Sequence, residues 1–158
     1  MMSADFPVAL ILMAGSLLVP LLRGRLRALY MLSLPVAAFA VLLQLPYGEY
    51  ARFELLGHAL VLMRVDRLSL LFGYVFLIAV FLNVVFSLHE RDNTQQVSGL
   101  FYAGAALGAV FAGDLFSLFV YWELTALSSV LLIWAGGTPR AYRAGMRYVI
   151  VHLGSGML

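Results

Sequence analysis

Three observations predict an all-α integral membrane protein. Of its 158 residues, 63% are hydrophobic and only 11% charged, whereas a soluble domain carries about 25% charged residues. The apolar residues run in long blocks instead of stripes, as they do where the solvent is lipid. Turn-forming residues punctuate the blocks at Pro46-Tyr47-Gly48, Gly113-Asp114 and Gly136-Gly137-Thr138-Pro139.

Six hydrophobic blocks follow in order, at 6–22, 28–45, 68–88, 97–112, 115–135 and 144–158. A helix crosses the hydrocarbon core with about 20 residues, the usual range being roughly 17 to 25. The first five blocks come close enough to that length to span, and the sixth reaches the last residue without a polar flank. Pro20 and Pro35 fall inside the first two blocks, a position that membrane helices tolerate better than soluble ones. The first apolar run follows Asp5 with no positive charge ahead of it, unlike a signal peptide.

Arginine placement sets an orientation. With the N-terminus outside, seven arginines (23, 25, 27, 91, 140, 143 and 147) fall on the interior side and three (52, 64 and 67) on the exterior side, as the positive-inside rule expects. The exterior stretch between helices 2 and 3 is not loop-like throughout. Ala51-Arg52-Phe53-Glu54-Leu55 alternates apolar and polar, and 59–66 is rich in apolar and β-branched residues. A small amphipathic β-hairpin turning near Gly57-His58 fits this pattern; an irregular loop is the alternative.

Composition excludes several classes of function. All ten basic residues are arginines, with no cluster larger than Arg23, Arg25 and Arg27, so nothing points to nucleic acid. The chain has no cysteine, which rules out disulfides, thiolate metal sites and iron–sulfur ligation within it. No nucleotide loop or catalytic triad is present. His58, His89 and His152 are scattered without ligand spacing, so no metal or cofactor is expected.

Glu123 is the outlier, an acid inside an otherwise apolar span. Nine residues beyond Asp114, at 1.5 Å each, it lies about 13 Å along the helix, near mid-bilayer. An acidic group there costs ~2.5–3.5 kcal/mol on insertion scales and calls for a partner, water or a proton. Loss of water favours the protonated form of a carboxyl group, and that permits reversible protonation. A glutamate that only ties two helices together is the structural alternative. Arg147 and His152 on the next block are its candidate partners. Arg147 can reach inward or snorkel back to the interface. His152, nearly level with Glu123, is of the residue type suited to relay protons, or is simply a buried histidine. Asp114 and Asp66 read as N-caps. Thr125, Ser128 and Ser129 either line a water path or bond to their own helix, and Gly104 with Gly108 forms a small-xxx-small pair for close helix packing.

The segment from Asp114 to Leu124, with Trp122-Glu123 at its centre, resembles the surroundings of the key glutamate in the antiporter-like membrane subunits. These occur in Mrp-type cation/proton antiporters, respiratory complex I and membrane-bound hydrogenases. The run from Arg64 to Phe72 is similar to the stretch leading into that family's third helix. Ala144-Gly145-Met146-Arg147-Tyr148, followed by Gly154-Ser155-Gly156, is similar to the start of its sixth. The D-type subunits of the Mrp-type antiporters are the nearest in character.

The resemblance implies that Glu123 is the proton carrier and that Arg147, where relatives often carry lysine, tunes the charge around it. Arginine gives up a proton far less readily than lysine. Family members have about fourteen helices, with inverted repeats and broken helices bearing lysines, and this chain has no lysine. Residues 1–158 therefore read as the N-terminal portion of a single polytopic membrane domain.

The expected function is that of a proton-translocating subunit in a multi-subunit monovalent cation/proton antiporter. It would move protons against Na+ or K+ beside other membrane subunits, in a cell membrane and most naturally the bacterial inner membrane. One alternative is a membrane-arm subunit of an NADH:quinone oxidoreductase, whose redox activity would reside in the whole complex. Another is a scaffold fragment that transports nothing.

Overall fold

The computed structural model describes residues 7–55, 57–89 and 92–156. Among them six helices and one two-stranded sheet follow in the order α1 Val8–Leu18, α2 Gly24–Gln44, β1 Gly48–Leu55, β2 His58–Val65, α3 Arg67–Ser87, α4 Asn93–Phe111, α5 Leu115–Trp134 and α6 Pro139–Gly156. Three of the helices (α2, α3 and α5) are long and apolar enough to cross a membrane. The first helix is apolar but shorter. It tightens into a 3-10 turn at Val19–Leu21, where Pro20 brings no N–H for an α-helical bond.

Helices 2, 4 and 6 begin several residues ahead of their apolar blocks, because caps set the start of a helix and hydropathy does not. Gly24 has φ +59, a left-handed turn that suits glycine, and it redirects the chain so that Arg25 and Arg27 enter α2. Asp92 accepts from the N–H of Thr94 at 2.9 Å and opens α4. The Thr138 hydroxyl accepts from the N–H of Ala141 at 3.0 Å, and Pro139 takes the first helical position of α6. Arg91, Phe6 and the last two residues of the sixth block lie outside the described residues.

The stretch between α2 and α3 forms the hairpin. β1 and β2 pair antiparallel with Glu49 opposite Arg64, Tyr50 opposite Met63 and Arg52 opposite Val61, and Gly57 turns at φ +79. Met63 and Val65 point into the main core beside Leu12, Met31, Leu42, Leu77 and Leu107.

α4 is the central helix, packed against α1, α3 and α5, while α6 rests on α5. Gly104 and Gly108 let α4 approach two different neighbours. A Cβ at 104 would meet the α1 backbone, at 2.9 Å from the Met13 nitrogen and 3.0 Å from the Ala9 oxygen, and one at 108 would strike the ring of Tyr121 on α5. The outward faces stay apolar. In each of the three long helices only 28% of the apolar window is buried, and Leu71, Phe72, Val75, Ile78, Leu82 and Phe86 of α3 are all exposed. A patch of that size is not sustained against water.

Candidate functional site

Glu123 is positioned by the start of its own helix. Asp114 accepts from the Ser117 N–H at 2.8 Å and from the Ser117 hydroxyl at 2.8 Å, closing the first turn of α5. Its Oδ2 also accepts from the main-chain N–H of Val61 at 2.6 Å, and the Gly113 N–H donates to the Val61 carbonyl at 2.9 Å. The hairpin is thereby fastened to the α4–α5 turn. Burial pushes the Asp114 carboxyl up, but the N–H groups of Ser117, Val61 and Phe116 and the Ser117 hydroxyl outweigh it and hold it below the ordinary value.

The return to α6 is built from aromatics and glycines. Gly137 turns at φ +64. Trp134 and Tyr142 stack with ring centroids 5.6 Å apart, and Trp134 Nε1 donates to the Tyr142 carbonyl at 3.4 Å. Gly145 sits beneath the indole, where a Cβ would collide with it. Seven residues on, two helical turns, His152 shares the Gly145 face and turns toward α5.

Its Nε2 lies 3.3 Å from Glu123 Oε1, with both side chains about four-fifths buried. That nitrogen is buried and at ion-pairing distance, yet its direction makes no hydrogen bond. The imidazole stacks on Tyr148 one turn earlier, with centroids 5.7 Å apart and planes 10° apart. Two clefts flank the pair. One, of about 400 Å³, is lined by Leu115, Leu118, Phe119, Glu123 and Ser155; the other, of about 420 Å³, by Tyr102, Thr125, Ser129 and Tyr148. Trp122 and His152 line both.

Of the residues singled out in the sequence, Glu123 and His152 come together and Arg147 stands apart. Arg147 lies two residues from Gly145, about 200° around the helix and so on the far side from α5. It is exposed, and no ion pair joins it to Glu123 among the described residues. The hydroxyls of Thr125, Ser128 and Ser129 donate to the carbonyls of Tyr121, Leu124 and Ala126 in their own helix. Asp66 caps α3, accepting from the N–H of Ser69 at 2.8 Å while the Ser69 hydroxyl accepts from the Asp66 N–H at 2.8 Å. Among the described residues, no three His, Asp or Glu side chains converge as a metal site.

Two features were not foreseen from sequence, the Val61–Asp114 bond and the seat of Gly145 under Trp134. The second left a trace, a glycine set within an arginine- and aromatic-rich helix start.

No protein-family model matches the chain. It is 28% identical over 146 residues to an uncharacterized protein of Methanocaldococcus jannaschii, covering 86% of this chain and 30% of that protein. Over 70 residues it is 33% identical to the D-type Na(+)/H(+) antiporter subunit of Bacillus subtilis, covering 44% of this chain and 14% of the relative. Over 75 residues it is 41% identical to the A-type Na(+)/H(+) antiporter subunit of Alkalihalophilus pseudofirmus, covering 44% of this chain and 9% of the relative. The chain thus spans less than a third of the length of these relatives, and several of its relatives are named as antiporter subunits.

Proposed function

We propose that this chain is the proton-handling part of a monovalent cation/proton antiporter subunit embedded in a cell membrane, with Glu123 as the proton carrier. One observation carries the reading: a carboxyl group two and a half turns into an apolar helix, held 3.3 Å from an imidazole. A carboxyl and an imidazole are both side chains of the kind that exchange protons in acid–base chemistry, and both are about four-fifths shielded from bulk water here. The names of the relatives support the transport class.

In this reading the chain crosses the membrane six times with its N-terminus outside. Arg23, Arg25, Arg27, Arg140 and Arg143 then share the interior end, and the hairpin caps the exterior end. His152 accepts the proton from Glu123 and passes it on. Arg147 acts on the pair through space, from the opposite face of α6. Other membrane subunits complete the assembly and supply the Na+ or K+ route. The respiratory-arm alternative draws no support from the names of these relatives.

The test is Glu123→Gln in the assembled antiporter, with exchange measured in vesicles and normalised to the amount of assembled complex. Loss of exchange with normal assembly is expected. The contact itself favours a second reading, in which Glu123 and His152 merely tie α5 to α6. That reading predicts poor assembly and undiminished exchange in whatever complex forms.

A further inference from the structure

The outward face of α6 is charged, and two contacts fix how that helix lies. The Trp134–Tyr142 stack joins the end of α5 to the first turn of α6, and the Glu123–His152 contact joins the two helices again farther along. α6 therefore runs back antiparallel along α5, a helix long and apolar enough to cross a membrane. Yet it turns three arginines away from that neighbour. Arg140, Arg143 and Arg147 fall within about 60° of one another around the helix, and Ile150 and Val151 continue the same face, all five within about 100°. Gly145 and His152 occupy the opposite face, against α5.

All five residues are exposed, Ile150 at 65% and Val151 at 70%. Among the described residues, no acidic side chain forms an ion pair with any of the three arginines. Arg143 Nε donates to the Pro139 carbonyl at 3.4 Å, which leaves the terminal nitrogens of its guanidinium for another acceptor.

Along the axis this face changes character in a fixed order. Trp134 and Tyr142 stand at the end of the apolar span, and such rings favour the level of lipid headgroups. Arg140 and Arg143 flank Tyr142 in sequence. Arg147 lies about 7.5 Å beyond Tyr142 toward the level of Glu123, and Val151 lies about 6 Å beyond Arg147. A guanidinium facing hydrocarbon at that depth calls for an anion.

We propose that this face of α6 binds an anionic phospholipid, with the phosphate held by Arg143 and Arg147 beside Arg140 and the acyl chains laid along Ile150 and Val151. A guanidinium takes two phosphate oxygens at once. The Arg147 side chain snorkels back toward that phosphate while its stem covers apolar surface. The order along the face, cation and then hydrocarbon, is the order of phosphate and chain in the lipid. A water-soluble acidic partner would match the arginines but not the exposed Ile150 and Val151 beyond them. The site lies across α6 from Glu123 and needs only that the bundle sits in a bilayer, so it stands or falls apart from the proton-carrier reading.

The chain has no cysteine, so one introduced thiol carries a bimane label at a single place. Val151→Cys reports on the acyl end of the site. Ile78→Cys, on the apolar outer face of α3 at a position 53% exposed, is the reference. Each labelled chain is reconstituted into phosphatidylcholine vesicles containing brominated phosphatidylglycerol or, separately, brominated phosphatidylcholine. Quenching of the label is then titrated against the mole fraction of brominated lipid.

At Val151→Cys, brominated phosphatidylglycerol should quench at a several-fold lower mole fraction than brominated phosphatidylcholine, and at Ile78→Cys the two should quench alike. A basic residue near the membrane surface contributes about fivefold to association with anionic lipid. Arg147→Gln should therefore cut the preference at Val151→Cys by about fivefold, and Arg147→Lys, which keeps the charge, should retain most of it. Arg143→Gln gives the same reading where Arg147→Gln fails to insert. Equal quenching by the two lipids at Val151→Cys, an equal preference at Ile78→Cys, or a preference that survives both glutamine variants overturns the proposal. Quenching by neither lipid means that protein covers this face, and overturns it as well.

Discussion

Val61 in the second strand of the hairpin donates its main-chain N–H to Oδ2 of Asp114 at 2.6 Å, across 53 residues of sequence. One carboxylate thus serves two structures, as the N-cap of α5 and as the anchor for β2. The hairpin and the helix that carries Glu123 are held in register by the same group.

Replacing that group tests the coupling. Asp114→Ala removes the cap, worth about 1 kcal/mol, and leaves the Val61 N–H without its acceptor, at about 1–3 kcal/mol. The purified chain in detergent micelles should unfold at a clearly lower temperature. Asp114→Asn keeps an acceptor oxygen and should lose less. Equal midpoints for Asp114→Ala and the parent chain would mean that the hairpin is held elsewhere.

Acid should expose the same anchor. The Ser69 N–H, above all, draws the Asp66 carboxyl below its ordinary 3.8, and the hydrogen bonds to Asp114 overcome its burial to lower that carboxyl too. A folded value below the unfolded one means that the unfolded chain binds more protons as pH falls. The stabilisation from both groups is therefore complete above about pH 4 and disappears as pH drops through the folded values. The thermal midpoint should show a loss below that point that is smaller in the double variant Asp66→Asn, Asp114→Asn. An acid limb of the same slope in both proteins would assign the effect to other groups.

The hydrophobic blocks identified where the helices lie, because lipid-facing segments must be apolar over their whole length and leave few alternatives. The starts of α2, α4 and α6 were less legible, since Gly24, Asp92 and Thr138 set them through local geometry that block-drawing ignores. Alternation at 51–55 pointed to the hairpin but not to its anchor, because a long-range bond to a main-chain N–H such as that of Val61 leaves no mark on residue type. Within the site, counting turns placed His152 level with Glu123, and the structure brings them into contact. The same counting could not orient Arg147. Rotation about the α6 axis is fixed by the fit of Gly145 under Trp134, a feature of shape and not of charge.

Helix 4 offers a sharp contrast among glycines. A methyl group at Gly104 would press on the α1 backbone, 2.9 Å from the Met13 nitrogen, and backbone cannot rotate away. Gly104→Ala should destabilise the chain by about 1–3 kcal/mol. Nothing lies within 4 Å of a Cβ at Gly99, so Gly99→Ala should raise stability by about 0.5–1 kcal/mol through reduced backbone freedom in the unfolded chain. Unfolding midpoints in detergent should move in opposite directions for the two variants. A shift of the same sign would contradict the close α1–α4 approach.

Contact geometry also separates the two candidate partners of Glu123. His152 touches it at 3.3 Å, whereas Arg147 faces away on the same helix. His152→Gln should therefore cut exchange per assembled complex by about 10²-fold, the lower end of what a positioned acid–base group contributes. Arg147→Gln should leave exchange measurable. Both variants are read in the same vesicles as pH–rate profiles. If His152→Gln keeps the parent rate while Arg147→Gln abolishes exchange, the relay runs through the arginine face of α6, and the histidine is only a tie between helices.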